Sequence, residues 1–231
     1  NFAKLLEMCA LTQPKMRIRF STSNPQDMSL DVIKVMAKYD NICNYIHLPV
    51  QSGSDKVLKA MNRKHTRDEY INLINNIYNI IPDCSISHDM ISGFPNESEQ
   101  DHKDTLTLME SVKYSFGYMF KYSERPGTPA ARKLEDNVDE KTKSRRLSEI
   151  VELQQRHSLF RSEQFLGKIV EVLIEKESKK SSSQWAGRNQ QNSTVVFPKE
   201  NYNVGDFVNV KINNCTSATL MGEAVGFSKN N

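Results

Sequence analysis

Four short segments of this 231-residue chain carry residue types suited to gripping a polar organic molecule: residues 21–25, 49–54, 92–95 and 123–128. Hydroxyls recur in all four, Asn24 and Gln51 add amides, and Gly53 and Gly93 let main chain approach a ligand closely. The same composition also makes ordinary turns, so residue types alone leave a binding rim and plain loops both open. Elsewhere the reactive side chains are scattered. Cys9, Cys43, Cys84 and Cys215 form no CxxC pair, so neither a disulfide framework nor a zinc site is spelled out. His47 and His88 read as interior strand histidines, and His65, His102 and His157 as exposed ones. No nucleophile–base or paired-carboxylate pattern stands out, and no catalytic or metal-ligating residue is assigned.

The elements that position these segments alternate along the first half of the chain. Residues 15–20, 44–48, 85–91 and 116–122 read as strands. Between them lie helical patterns: residues 30–39, with Leu30, Ile33 and Ala37 on the apolar face, and a helix opened by the Thr66/Glu69 capping box, with Tyr70, Ile74, Ile77 and Ile81 inward. Ser98 and Asp101 open another, with Thr105, Leu108, Met109 and Val112 on its apolar side. Strand and helix alternating at this spacing predict βαβ units and a parallel sheet, whose carboxyl ends collect function. All four polar segments fall at those ends. Residues 139–165 then read as a long charged helix, residues 175–183 as a polar loop, and β-rich runs at 169–174, 195–197, 207–212 and 220–227 suggest a small closed β-barrel.

Composition is that of an ordinary folded protein, with 38 % hydrophobic and 26 % charged residues. The net charge of +3 is too small by itself to establish a nucleic-acid partner. No apolar run approaches a membrane span, and no membrane partner is expected. The opening at Asn1, inside a helical pattern, reads as a piece of a longer polypeptide.

Three segments together resemble the radical-SAM methylthiotransferases: HLPVQSGSDKVLKAMNR at residues 47–63, DMISGFPNESEQD at 89–101 and FKYSERPGTPA at 120–130. STSNPQDMS at 21–29 fits the same family, and the stretch from Gly167, with WxGR at 185–188, resembles the TRAM domain. The resemblance implies an α/β fold: a partial (β/α)6 radical-SAM barrel of parallel strands followed by a small all-β TRAM barrel. It divides the chain into the C-terminal portion of the radical-SAM domain with a linker helix (residues 1–166) and an RNA-binding TRAM domain (167–231). It also implies S-adenosylmethionine across the strand ends. Gln51 and Ser52 would meet its methionine end, and Arg63 its carboxylate through a guanidinium fork. Asp89, Gly93 and Phe94 would lie toward the adenine, with Ser21, Ser23 and Asn24 facing the ribose or the substrate. Two [4Fe–4S] clusters belong to the intact enzyme, but the family's CxxxCxxC ligands are not among these residues, so the chain alone is expected to be inactive.

The implied reaction adds a methylthio group to carbon 2 of isopentenyladenosine at tRNA position 37. The stretch QWAGRNQQNSTVVF at 184–197 favours that branch over sister enzymes acting on a ribosomal-protein aspartate or on threonylcarbamoyladenosine, while the absence of the iron ligands leaves a non-catalytic RNA-binding fragment as the alternative of a different class. The implied partners are the tRNA anticodon stem-loop and a reductant such as flavodoxin or ferredoxin, in the cytoplasm. Tyr122, Glu124 and Arg125 would border the substrate opening, and Trp185, Arg188, Asn189, Phe197, Lys199 and Lys211 would offer stacking faces and charge to RNA. Lys143, Arg145 and Arg146 read either as a further backbone contact or as a solvated helix face.

Overall fold

The computed structural model describes residues 1–21 and 24–230; Ser23 of the expected rim lies outside them. Three strands, β1 (Tyr45–His47), β2 (Ser85–Ser92) and β3 (Phe116–Lys121), form a parallel sheet in the order β1-β2-β3. Helices α1 (Phe2–Thr12) and α2 (Leu30–Lys38) precede it. Helices α3 (Asp55–Ala60) and α4 (Arg67–Ile80) link β1 to β2, and α5 (Glu99–Val112) links β2 to β3. The arrangement is an arc of the expected α/β barrel. Both predicted capping boxes form, Thr66 with Glu69 and Ser98 with Asp101, and α4 and α5 bury the predicted faces. Helix α2 packs between α1 and α4 and turns Val32, Ile33 and Met36 inward, leaving Leu30 and Ala37 exposed, a rotation from the expected face.

Residues 15–20 do not become the expected strand. Ile18 makes a single parallel bridge to Ile42, because the flanking arginines are drawn toward the second half of the molecule. Arg17 donates to the Arg188 carbonyl at 2.6 Å and pairs with Glu171 at 2.9 Å, and Arg19 pairs with Glu175 at 3.1 Å.

Alternation along the strands sorts the two sheet faces. Ile46, Ile86, His88 and Met90 are fully buried against the helices. Tyr45, His47, Ser87, Asp89, Phe116, Tyr118 and Phe120 share the other face through the parallel register. His88 is the one imidazole in the helix-side layer of β2. Its Nε2–H donates to Gln154 Oε1 of α7 (Glu140–Glu163) at 2.8 Å, and the ring packs on Tyr114 and lies beneath Gly117, where an added Cβ would meet it at 2.2 Å. His65, His102 and His157 are also buried, against expectation. His102 and His157 reach Glu149 and Glu110 on neighbouring helices, contacts that no helical periodicity reveals.

After α6 (Pro129–Lys133) and α7, strands β4 (Ile169–Ser178), β5 (Ser181–Arg188), β6 (Thr194–Pro198), β7 (Phe207–Cys215) and β8 (Leu220–Phe227) close a barrel in the order β4-β5-β6-β8-β7. Val172, Ile174, Val195, Phe197, Val208, Val210, Ile212 and Leu220 fill it. The expected loop at 175–183 is instead the β4–β5 hairpin; its polar residues reflect solvent exposure, not lack of pairing. Among the described residues no helix is long and apolar enough to cross a membrane.

Burial pushes the His88 pKa down from 6.5 to about 4. Between those values the unfolded chain binds the proton that the folded chain refuses, so stability is full above pH 6.5 and falls as pH drops toward 4. Urea unfolding across that range is expected to show this loss, and His88→Leu to flatten it.

Candidate functional site

The carboxyl ends of the strands are tied together by main-chain bonds. After β1 the chain passes through Gln51, whose φ of 75° is in the left-handed region that side chains rarely adopt. That conformation lets Gln51 N donate to Asp89 O at 2.9 Å while Gln51 O accepts from Ile91 N at 3.0 Å, straddling Met90. Tyr122 N donates to Ser92 O at 2.8 Å, and the Tyr122 ring stands edge-on to Phe94 with centroids 5.1 Å apart. On the other side Gln26 Nε2 donates to Lys64 O at 2.8 Å, setting the loop of Asn24 beside the Arg63 turn. Gln51, Arg63, Asp89, Gly93, Phe94 and Tyr122 therefore lie around one rim, with the Asn24 loop at its edge.

Each loop is held from below. The Gly53 amide donates to Thr105 Oγ1 at 2.9 Å, and a Cβ there would stand 2.5 Å from Asp104 O, so only glycine lets this loop settle onto α5. Ser52 is buried, with its hydroxyl 3.3 Å from Thr105 Oγ1 and accepting from Ser54 N, so it supports the loop. Ser54 donates to Asp101, which also takes Lys56 and the Ser98 cap. Burial alone would raise the Asp101 carboxyl, but these donors hold it well below the usual carboxylate range. The Gly93 amide donates to Glu97 Oε2 at 2.8 Å, and Arg146 of α7 clamps Glu97 through its side chain at 2.9 Å and its carbonyl at 3.0 Å. Lys143 lies against Gly93, paired with Asp136 at 2.6 Å and Glu140 at 3.1 Å.

What remains open at the rim is charge and hydrogen-bonding capacity. The half-buried Arg63 guanidinium makes no hydrogen bond among the described residues. Burial lowers its pKa, and the negative charge of Asp89 opposes that shift. Among the described residues the Asp89 carboxylate meets one side chain, His47, whose Nε2 lies 3.4 Å away. Next to Arg63 the buried His65 ring leaves both nitrogens without a hydrogen bond, although the Val50 main chain weakly favours its proton; burial first and Arg63 second lower its pKa. A guanidinium, a carboxylate and a free Gln51 amide around an apolar Phe94 wall are complementary to a zwitterionic amino acid joined to a nucleoside. The donor set fits S-adenosylmethionine. It does not fit an iron–sulfur cluster: among the described residues no group of three or more His, Cys, Asp or Glu is placed to hold a metal.

Residues 1–109 match the model for the radical SAM superfamily, and residues 163–225 match the TRAM domain. Across all 231 residues the chain is 68 % identical to a protein of Christiangramia forsetii named tRNA-2-methylthio-N(6)-dimethylallyladenosine synthase, covering 48 % of that protein. The chain carries a radical SAM domain followed by a TRAM domain and is similar along its whole length to the radical-SAM methylthiotransferases. Proteins of the same name from Flavobacterium johnsoniae and Flavobacterium psychrophilum are 67 % and 64 % identical over the same 231 residues, again covering 48 % of each. The chain thus spans about half the length of the curated relatives it matches. A solved structure, coproporphyrinogen III oxidase from Escherichia coli, aligns over 72 % of this chain and 45 % of its own at 15 % identity, with a TM-score of 0.49, too low to establish a shared fold.

The remaining expected site residues separate into free and committed ones. Ser21, Glu124 and Arg125 are exposed, and the Asn24 side chain caps the 3-10 turn Pro25–Asp27. On the barrel, Lys211 is exposed, and Trp185 is half-buried under Lys199, whose ammonium stands 4.4 Å from the ring centroid. Arg188 is half-buried and reaches Asn192 and Glu175. Phe197 is fully buried in the barrel core and offers no face to a base; Asn189 is buried too, its side chain accepting from Ser193 N. Lys143 and Arg146 are likewise buried in internal ion pairs, so neither is a backbone contact for RNA; Arg145 stays exposed, paired with Glu99 and Glu149. Sequence reasoning missed Glu97, Arg146 and His65. Their roles arise from contacts between distant elements, and the one visible trace was a charged helix with buried positions.

Arg146→Ala removes one partner of a buried pair and leaves Glu97 uncompensated beneath the Gly93 loop, at an expected cost of about 3–5 kcal/mol in chemical unfolding. Arg145→Ala, at an exposed and solvent-screened pair, is expected to leave the unfolding midpoint nearly unchanged.

Proposed function

We propose that the intact protein adds a methylthio group to carbon 2 of N6-dimethylallyladenosine (isopentenyladenosine) at position 37 of tRNA, by radical S-adenosylmethionine chemistry. The 68 % identity across every residue of the chain, rim and barrel included, carries this reading. The rim residues hold the cofactor: Arg63 pairs with its carboxylate, Asp89 and the Gln51 amide take its polar donors, and the Gly93–Phe94 turn walls the adenine. Cleaved reductively when bound, S-adenosylmethionine supplies the radical chemistry. This chain's part is to bind and orient it and to exclude water from the reacting centre.

Two [4Fe–4S] clusters, a flavodoxin- or ferredoxin-type reductant and a cytoplasmic location complete the proposal; the cluster ligands come from outside these residues. We assign residues 1–166 to the radical-SAM part with its linker helix and 167–231 to RNA binding. In that second part Lys211, Lys199, Arg188 and the Trp185 edge face the anticodon stem-loop, with Tyr122, Glu124 and Arg125 at the substrate opening. Charge on the barrel supports this only modestly, so affinity is expected to depend on a few contacts.

Arg63→Ala in the intact protein is expected to weaken S-adenosylmethionine binding about tenfold to a hundredfold, the worth of a charge-assisted hydrogen-bonded pair, measured by titration calorimetry. Unchanged affinity contradicts the carboxylate assignment. Nucleoside mass spectrometry of tRNA from a deletion strain tests the substrate: loss of 2-methylthio-isopentenyladenosine is expected, and its persistence excludes the reading.

A further inference from the structure

On the sheet face turned away from the helices, the side chains of β1 and β2 form a continuous polar line toward the rim. Tyr45 Oη lies 2.8 Å from Ser87 Oγ, Ser87 Oγ lies 2.8 Å from His47 Nδ1, and His47 Nε2 lies 3.4 Å from Asp89 Oδ1. The register that pairs His47 with Ser87 makes this possible: residues 45, 47, 87 and 89 all project to the same side. Tyr118 of β3 stands edge-on to the His47 ring at 6.0 Å and closes the line from the side. Tyr45, at the far end, borders a cavity of about 500 Å3 between the amino ends of the strands and the β-barrel.

Hydrogen-bond bookkeeping gives the line a direction. An ionised Asp89 only accepts, so His47 Nε2 must carry a proton. In a neutral ring Nδ1 then accepts, and the one available proton is that of Ser87. With its hydroxyl hydrogen spent on Nδ1, Ser87 offers Tyr45 a lone pair, and Tyr45 donates. With the ring neutral, this arrangement satisfies every group. Ser87 is fully buried, so water does not substitute for either neighbour.

We propose that Tyr45, Ser87 and His47 are positioning residues: a directed hydrogen-bond relay that fixes the Nε2–H tautomer of His47 and aims the Asp89 carboxylate across the rim at the cofactor, opposite Arg63. This rests on reading the rim as the S-adenosylmethionine site. The relay explains why His47 sits in the strand without being part of the core, and why Ser87, rather than an apolar residue, fills the buried position between two aromatic rings. Among the described residues no other side chain orients Asp89, so its direction depends on the imidazole. The 3.4 Å contact is the one loose link and is the distance a bound ligand is expected to shorten.

The test combines ring-nitrogen NMR of protein labelled with 15N at histidine and titration of the intact, cluster-loaded protein with S-adenosylmethionine. The unaltered protein is expected to show His47 with a protonated Nε2 and a bare Nδ1. Ser87→Ala is expected to give a mixed tautomer signal and about fivefold weaker binding, and Tyr45→Phe, a gentler change at a half-exposed site, about a twofold to threefold loss. His47→Gln, which keeps an N–H donor, is expected to bind better than His47→Leu. Wild-type tautomer and affinity in both Ser87→Ala and Tyr45→Phe overturn the relay. If Arg63→Ala weakens binding while those two do not, only the relay falls. If Arg63→Ala too is without effect, or the unaltered protein fails to bind, the rim reading falls, and the nitrogen spectra alone then decide the relay.

Discussion

Everything at the rim depends on the loop after β1 being fastened to both sides of Met90. Gln51 achieves this by adopting a left-handed backbone, a conformation that costs a non-glycine residue about 1 kcal/mol or more. The strain is offset by two main-chain hydrogen bonds, and the result is that a short strand of three residues still delivers its loop to the neighbouring strand's end. Without that clasp, the Ser52–Gly53 turn would not seat on α5, and Arg63, a few residues on, would have no fixed place opposite Asp89.

The electrostatic pattern follows from where charge is paired. Beneath the rim, charged groups find partners within the fold: Glu97 with Arg146, Lys143 with Asp136 and Glu140, Asp101 with Lys56. Burial raises the Glu97 carboxyl while Arg146 pulls it back, the expected contest for a desolvated pair. At the rim the pattern stops. Arg63 is half-buried, its guanidinium forms no hydrogen bond among the described residues, and the negative charge of Asp89 favours its protonated form. Where the loops converge, the Arg63 guanidinium is left for a ligand to engage, beside an Asp89 that His47 meets from one side.

Much of this was legible from residue order. Strand–helix alternation gave the parallel sheet, the Thr66 and Ser98 caps fixed two helix starts, and polar Gly-containing segments marked the carboxyl ends. What could not be read was whatever depends on partners distant in sequence. Residues 15–20 carry strand-like residues, yet Arg17 and Arg19 are captured by Glu171 and Glu175, more than 150 positions away. The β4–β5 hairpin looked like a loop because its exposed strands are polar. Phe197 had the right type for base stacking but the wrong side of a barrel strand, and a single sequence does not say which side is inward when both neighbours are apolar too. Arg146 and Lys143 differ from Arg145 only by their angle around α7, and the apolar signal on that helix is too weak to fix the angle.

The most direct test of the central claim, that converging loops grip one nucleoside-sulfonium molecule, is a structure of the intact protein crystallised with S-adenosylmethionine. The ligand is expected against Gln51 and the Gly93–Phe94 turn, with its carboxylate on Arg63 and Asp89 within hydrogen-bonding reach. Density for it in the cavity between the strands' amino ends and the β-barrel, with the Arg63 side chain still unengaged, would contradict the account.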